Sequence, residues 1–413
     1  MKKQTWICLL LIAALAVQLT ACVPQARAAD LMEGVEPAEP LGEPFEPGGA
    51  QFDAAADFAL RLFRAGNESG KNSLISPLSV AIALAMTANG AKGETLAQME
   101  KTLGMTQGEL NYWFYTLQRK LPRTEDCRLC LANSIWFRDD GSLEVKKDFL
   151  QTNADFYGAA ARRAAFDSGT LKEINDWVRE KTEGMIPEIL DEIPPEAVMY
   201  LINALVFDAK WEKPYTRDNV KAGSFTAADG TERSVDFMRS EESRYLETED
   251  AKGFLKFYKG GRCAFAALLP NEGLSPEALL EKLDGASLRK LLTEERCETV
   301  LASLPRFEAS YGAELSEALK SIGMPLAFDE DRADFTELGS AKGNIYIGRV
   351  LHRSFISVNE QGTRAGAATA VEMNAKGILM DPKEVVLDRP FVYLLIDVET
   401  GVPFFVGVLN DPA

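Results

Sequence analysis

Val392–Val398 and Phe404–Leu409 are near-continuous apolar runs, and runs of this kind suit strands covered on both faces. Val198–Asp208, Phe254–Tyr258, Ala264–Leu269, Val300–Phe307 and Ser354–Val358 read as further strands. The first half reads differently. Phe52, Ala55, Phe58 and Leu62 recur at helical spacing. Helices also fit Pro77–Asn89, Gly93–Leu103, Gln107–Leu121 and Leu171–Thr182, and Gly90 and Gly104 follow two of them as stops. One more helix, over Pro276–Leu291, interrupts the strand region. Helices gathered early and strands gathered late predict an α+β fold, with large sheets crossed by helices. No repeat or low-complexity run divides residues 51–413, which read as one domain.

The N-terminal residues carry a different signal. Lys2 and Lys3 precede an apolar run from Trp6 to Val17, shorter than the roughly 20 residues a membrane span needs. Leu19-Thr20-Ala21-Cys22 then sets a cysteine directly after a small residue. That is the pattern of a bacterial lipoprotein signal over residues 1–21, with Cys22 receiving the lipid. The alternative is an ordinary secretory signal cut near Ala26-Arg27-Ala28. Residues 22–50 hold Pro24, Pro37, Pro40, Pro44 and Pro47 among six acids, a composition that predicts a disordered tether. The expected location is therefore the cell surface, through a lipid anchor in the membrane, or else secretion.

With 62 acidic against 45 basic residues, the net charge is −17. Such an excess repels phosphate backbones and argues against nucleic-acid binding. Cys127-Arg128-Leu129-Cys130 has the spacing of half a zinc site, but no second pair accompanies it. Free thiols are expected at Cys127, Cys130, Cys263 and Cys297, with a Cys127–Cys130 disulfide as the alternative. No metal or cofactor is implied. His352 is the sole histidine, so any Ser/His/Asp or Cys/His site has to use it, and Val350-Leu351-His352-Arg353-Ser354 reads as the start of a strand. The nucleophile elbow, the zinc-protease helix and the phosphate loop are all missing from the sequence. The chain is not read as an enzyme.

Residues 359–376 are the segment richest in information. Taken as a strand, Thr363, Ala365, Ala367, Thr369 and Val371 fall on one face, and Arg364, Gly366, Ala368, Ala370 and Glu372 on the other. Every charge lies on one face, and the opposite face is small and uncharged. Such a strand can enter a crowded sheet without burying a charge, although Ala and Gly favour strands only weakly. On composition alone a plain Ala-rich linker or a short helix is the favoured reading.

Glu360-x-Gly362-Thr363, followed by Ala365-Gly366-Ala367-Ala368-Thr369-Ala370, resembles the hinge of inhibitory serpins. Further resemblances come in order: Asn72–Ser79, Ala88–Thr95, Ile174–Val178 with Thr182–Ile186, Leu201–Ala204 with Trp211, Asp388–Phe391 and Phe404–Gly407. The resemblance implies a serpin fold, with a large central mixed β-sheet, further sheets and about eight to nine helices. It implies a monomeric inhibitor that traps a serine protease covalently, through an exposed reactive-centre loop over about residues 362–384. The family's spacing from the hinge glutamate sets the cut at Lys376–Gly377, which suits a trypsin-like enzyme; with a small shift, Met373, Ala375, Leu379 or Met380 would serve elastase-, subtilisin- or chymotrypsin-like enzymes. Ser76, Ser79, Asn203 and His352 match a cluster that controls where the sheet opens. Arg306 and Glu360, with Trp211, match a site at the top of the sheet. Arg364 and Gly366 depart from the acid and the alanine common in the hinge. A non-inhibitory serpin acting as a binding or carrier module is the second reading.

Overall fold

The computed structural model describes residues 27–39, 48–120, 124–141, 143–195, 197–294, 296–363 and 382–412. Cys22, Ala365, Gly366, Ala367, Ala368, Thr369, Lys376 and Gly377 lie outside the described residues. In chain order the first half runs β1 (Ala29–Asp30), α1 (Gly49–Gly66), β2 (Ser73–Ile75), α2 (Pro77–Ala88), α3 (Gly93–Leu103) and α4 (Gln107–Lys120). It continues with β3 (Cys127–Arg138), β4 (Glu144–Val145), α5 (Lys147–Tyr157), β5 (Ala160–Ala164), α6 (Ser168–Lys181) and β6 (Met199–Lys210). Next come β7 (Val220–Thr226), β8 (Glu232–Glu247), β9 (Ala251–Phe257), β10 (Cys263–Pro270), α7 (Pro276–Glu281) and α8 (Gly285–Thr293). The rest is β11 (Cys297–Pro305), β12 (Phe307–Glu314), α9 (Ser316–Ser321), β13 (Gly339–Ser340), β14 (Arg349–Val358), β15 (Gly362–Thr363), β16 (Lys383–Val386), β17 (Phe391–Asp397) and β18 (Pro403–Leu409).

Two large sheets carry the architecture. The first has the order β1-β5-β3-β6-β15-β14-β12, and β6 also pairs directly with β14. The second has the order β16-β11-β8-β9-β10-β17-β18-β2, with β7 added beside β8. β10, β17 and β18 are buried along their whole length, as their apolar runs predict. α2 lies in the core and is buried on every side, so its composition shows little amphipathic contrast. The α+β reading and the mixed central sheet hold.

Two expectations need correction. Residues 27–39, predicted to be part of a disordered tether, lie against the body. β1 pairs with β5 through Ala29–Arg163 and Asp30–Arg162, and the Ala38 N–H donates to Asp155 at 2.8 Å. Leu31, Met32 and Val35 pack on the core, and the open edge of β5 supplies backbone partners. Pro276–Leu291 is two helices instead of one. Asp284 caps the second by accepting from the Ser287 N–H at 2.7 Å. Gly285 lies so close to α1 that a Cβ there would be 2.1 Å from the Asp53 carbonyl oxygen.

Candidate functional site: the parting line of the mixed sheet

β6 and β14 are parallel neighbours only from Tyr200–Arg349 to Ala204–Arg353. Above that point they separate, and among the described residues no strand pairs with the facing edges of 205–208 and 354–357. At the top, β15 lies between them. Thr363 pairs with Ala209 of β6 and with Val358 of β14, antiparallel to both. A chain continuing from Thr363 in the same direction would run down the open slot, antiparallel to both walls. Unpaired backbone groups on a strand edge are a template for another strand.

The hinge is held firmly at this upper end. Thr363 is 1% exposed, and its hydroxyl is bonded to the Tyr258 hydroxyl at 2.5 Å. Gly362 is required by space: a Cβ would lie 2.0 Å from the Ala209 carbonyl oxygen. Trp211 is buried and stacks on Tyr258 with ring centroids 4.4 Å apart. Its indole N–H donates to the Asn359 carbonyl at 2.8 Å and its backbone N–H to the Gln361 carbonyl at 2.9 Å. Arg306 and Glu360 form an ion pair at 3.6 Å, on the exposed side of the hinge.

The lower end is closed by the cluster around His352. The Ser76 N–H donates to His352 Nε2 at 3.1 Å, which assigns the ring proton to Nδ1. Ser76 also caps α2: its hydroxyl accepts from the Ser79 N–H at 3.3 Å and donates to the Phe404 carbonyl at 2.9 Å. The Ser354 hydroxyl donates to the Leu74 carbonyl. In register, His352 stands opposite Asn203, which stands opposite Asn133, one pair below the fork. Burial holds the imidazole pKa down at about 4, so the ring is neutral at pH 7. It serves as a hydrogen-bond acceptor, and its acceptor nitrogen is already occupied.

A third set of contacts lies on the outer face of the sheet. α6 covers the sheet through Ile174, Trp177 and Val178, in a cluster with Trp136, Tyr200, Ile202 and Leu351. That cluster includes residues of both β6 and β14, where the two strands pair below the slot. Arg128 on β3 ties Glu183, just beyond α6, to Asp208 on β6, at 2.8 Å and 3.0 Å.

Of the residues singled out in the sequence, Ser76 bonds both Ser79 and His352, with Asn203 beside His352 in register. Arg306 and Glu360 meet, and Trp211 lies against the hinge. Cys127 is a free, buried thiol beside Cys263, so the Cys127–Cys130 disulfide does not form. Tyr258, Ser354 and Arg128 were not picked out in the sequence. Ser354 offered a signal, since two residues after His352 it shares that residue's face.

The serpin (serine protease inhibitor) family model matches residues 53–412. An uncharacterized serpin-like protein of Thermococcus kodakarensis is 32% identical over 371 residues, covering 87% of this chain and 85% of that protein. The thermophilic serpin tengpin in its native state superposes with a TM-score of 0.89 at 44% identity, covering 94% of this chain and 100% of tengpin. Tengpin in its latent state gives 0.80 at the same identity, covering 90% of this chain. The chain belongs to the serpin family.

Proposed function

We propose that this protein is a suicide-substrate inhibitor of serine proteases, with Lys376–Gly377 as the bait bond and a trypsin-like enzyme as its target. The observation that carries the reading is β15, where Gly362 and Thr363 already occupy the first positions of a missing central strand. The protease serine attacks the Lys376 carbonyl, the peptide bond to Gly377 breaks, and an acyl-enzyme forms. The freed segment then fills the slot from Thr363 downward and carries the protease with it. About ten new backbone hydrogen bonds at roughly 1 kcal/mol net each give on the order of 10 kcal/mol. That matches the stability of a whole domain and is enough to deform the trapped enzyme. His352, Ser76, Ser79 and Asn203 act as the gate that has to part, and Trp211 with the Arg306–Glu360 pair acts as the upper latch. The small uncharged face of Thr363, Ala365, Ala367 and Thr369 is what lets the strand enter.

The protein acts as a monomer, exported and held at the membrane by a lipid on Cys22. Mass spectrometry of the mature N-terminus tests that part. Incubation with trypsin and, separately, with an elastase tests the inhibitory reading. The expected result is an SDS-resistant adduct with trypsin and a released peptide beginning at Gly377. Cleavage without an adduct across a broad protease panel would favour the carrier-module reading.

A further inference from the structure

Beneath the hinge lies an ion pair with no place in the slot itself. Lys256 on β9 is 1% exposed and Glu242 on β8 is 8% exposed, with Nζ and Oε1 2.7 Å apart. A second acceptor is the Lys213 carbonyl at 3.2 Å. The same ammonium stands 4.2 Å from the centre of the Tyr215 ring and 5.3 Å from that of Trp211. The Ser240 hydroxyl completes the group, donating to Glu242 at 2.6 Å and reaching the Tyr215 hydroxyl at 3.4 Å.

Residues 211–215, which wrap around this ammonium, form no helix or strand of their own. They nevertheless grip three consecutive hinge carbonyls. Trp211 supplies its indole N–H to Asn359 and its backbone N–H to Gln361, and the Tyr215 N–H donates to Glu360 at 2.9 Å. Backbone pairing ties this segment only at its start, where Trp211 bridges Tyr258 and the Glu212 N–H donates to the Phe257 carbonyl at 3.0 Å, so its later donors need a side-chain anchor. Lys256 touches its first, third and fifth residues at once. Burying a lysine and a glutamate costs more than burying two apolar side chains of the same size, and Phe254 and Leu255 show that β9 accepts such residues. Burial opposes the charge, but Tyr215 and Glu242 outweigh it, and the ammonium stays protonated above its ordinary range.

We propose that Lys256, paired with Glu242, is a positioning residue for the hinge: it anchors the 211–215 clamp on residues 359–361 and so sets how readily the loop is released into the sheet. This rests on the strand-insertion reading of the slot. The test is the full-length double variant Lys256→Met/Glu242→Leu, which removes both charges and leaves none buried alone. Glu242→Gln keeps the size and the hydrogen bond, and serves as a milder second variant. Protease-free insertion is followed on native gels at a fixed temperature below unfolding. Chemical unfolding midpoints are measured for the intact and the loop-cleaved protein.

The double variant should insert about tenfold faster than wild type, the scale expected for one lost charge-assisted hydrogen bond. Glu242→Gln should shift the rate in the same direction by less. The unfolding midpoint of the cleaved form should stay at the wild-type value, because a clamp on the hinge matters only before insertion. A merely structural pair would instead lower both midpoints together. Insertion within about twofold of wild type in both variants, in a protein whose wild-type loop does insert, overturns the role of Lys256 alone. A wild-type protein that gains no stability on loop cleavage overturns the insertion reading and this inference with it.

Discussion

The two large sheets are built from the same strand chemistry and do opposite things. In the second sheet, β10, β17 and β18 are antiparallel, paired along their length but for one bulge at Leu395–Ile396, and buried throughout. Nothing can be added between them. In the first sheet, β6 and β14 pair over one end only, and among the described residues nothing pairs with the facing edges of 205–208 and 354–357. The second sheet stores stability as apolar burial. The first withholds part of its own, because unmade backbone hydrogen bonds are stability the intact protein does not have. Polar and ionic contacts line the first sheet's opening, at His352, Thr363, Trp211 and Arg128, and continue beneath the hinge in the Lys256–Glu242 pair of the second sheet. Apolar packing can only hold a sheet together, whereas directional contacts can also keep a gap from closing too early.

Changes at the slot and at the Lys256–Glu242 clamp should alter insertion, and changes among β10, β17 and β18 should alter stability alone. Thr363→Arg should have the largest effect on insertion, since Thr363 is already buried against Tyr258 in the intact protein and a charge there would dislodge the start of the inserting strand. Adduct yield on denaturing gels should fall at least tenfold, roughly what 1.4 kcal/mol delivers, and the variant should be cleaved as a substrate. Wild-type yield would break the parity argument.

Phe265→Ala, on β10, should cost about 3–5 kcal/mol. Denaturant melts should show the same loss in the intact and the loop-cleaved protein. A loss confined to one form would blur the division between the sheets.

Acid should act on the first sheet through His352. Its folded pKa of about 4 lies below the ordinary 6.5, so the unfolded chain binds the proton more readily between these values. The stabilisation is complete above pH 6.5 and is lost as pH falls through about 4, by on the order of 3 kcal/mol. His352→Gln should flatten the melting temperature over that window. An unchanged acid limb would remove His352 from the gate.

Arg306→Ala should do least, below about 1 kcal/mol, because the arginine side chain is 54% exposed and its ion pair is screened. A large acceleration of insertion on that change would make the surface pair, and not the buried clamp, the main latch.

The sequence revealed these two regions unequally. Val392–Val398 and Phe404–Leu409 announce themselves, since strands covered on both faces have to be apolar throughout. β8 carries eight charged residues across Glu232–Glu247, and its pairing with β7, β9 and β11 comes from tertiary context that no local pattern displays. β3 was legible only as a cysteine spacing. His352, Ser76 and Ser79 were visible through resemblance, and the coordinates add the donor and the acceptor. Lys256 and Glu242 gave no signal, because a charged pair in a chain with 62 acids looks like surface until burial is known.

The central claim is that the first sheet is an unfilled receptor for the chain that follows Thr363. The most direct measurement is thermal melting before and after a single cut in the loop. The account predicts a rise of tens of degrees on cleavage, since on the order of 10 kcal/mol of backbone bonding is recovered. A cleaved protein that melts at the same temperature as the intact one would contradict it.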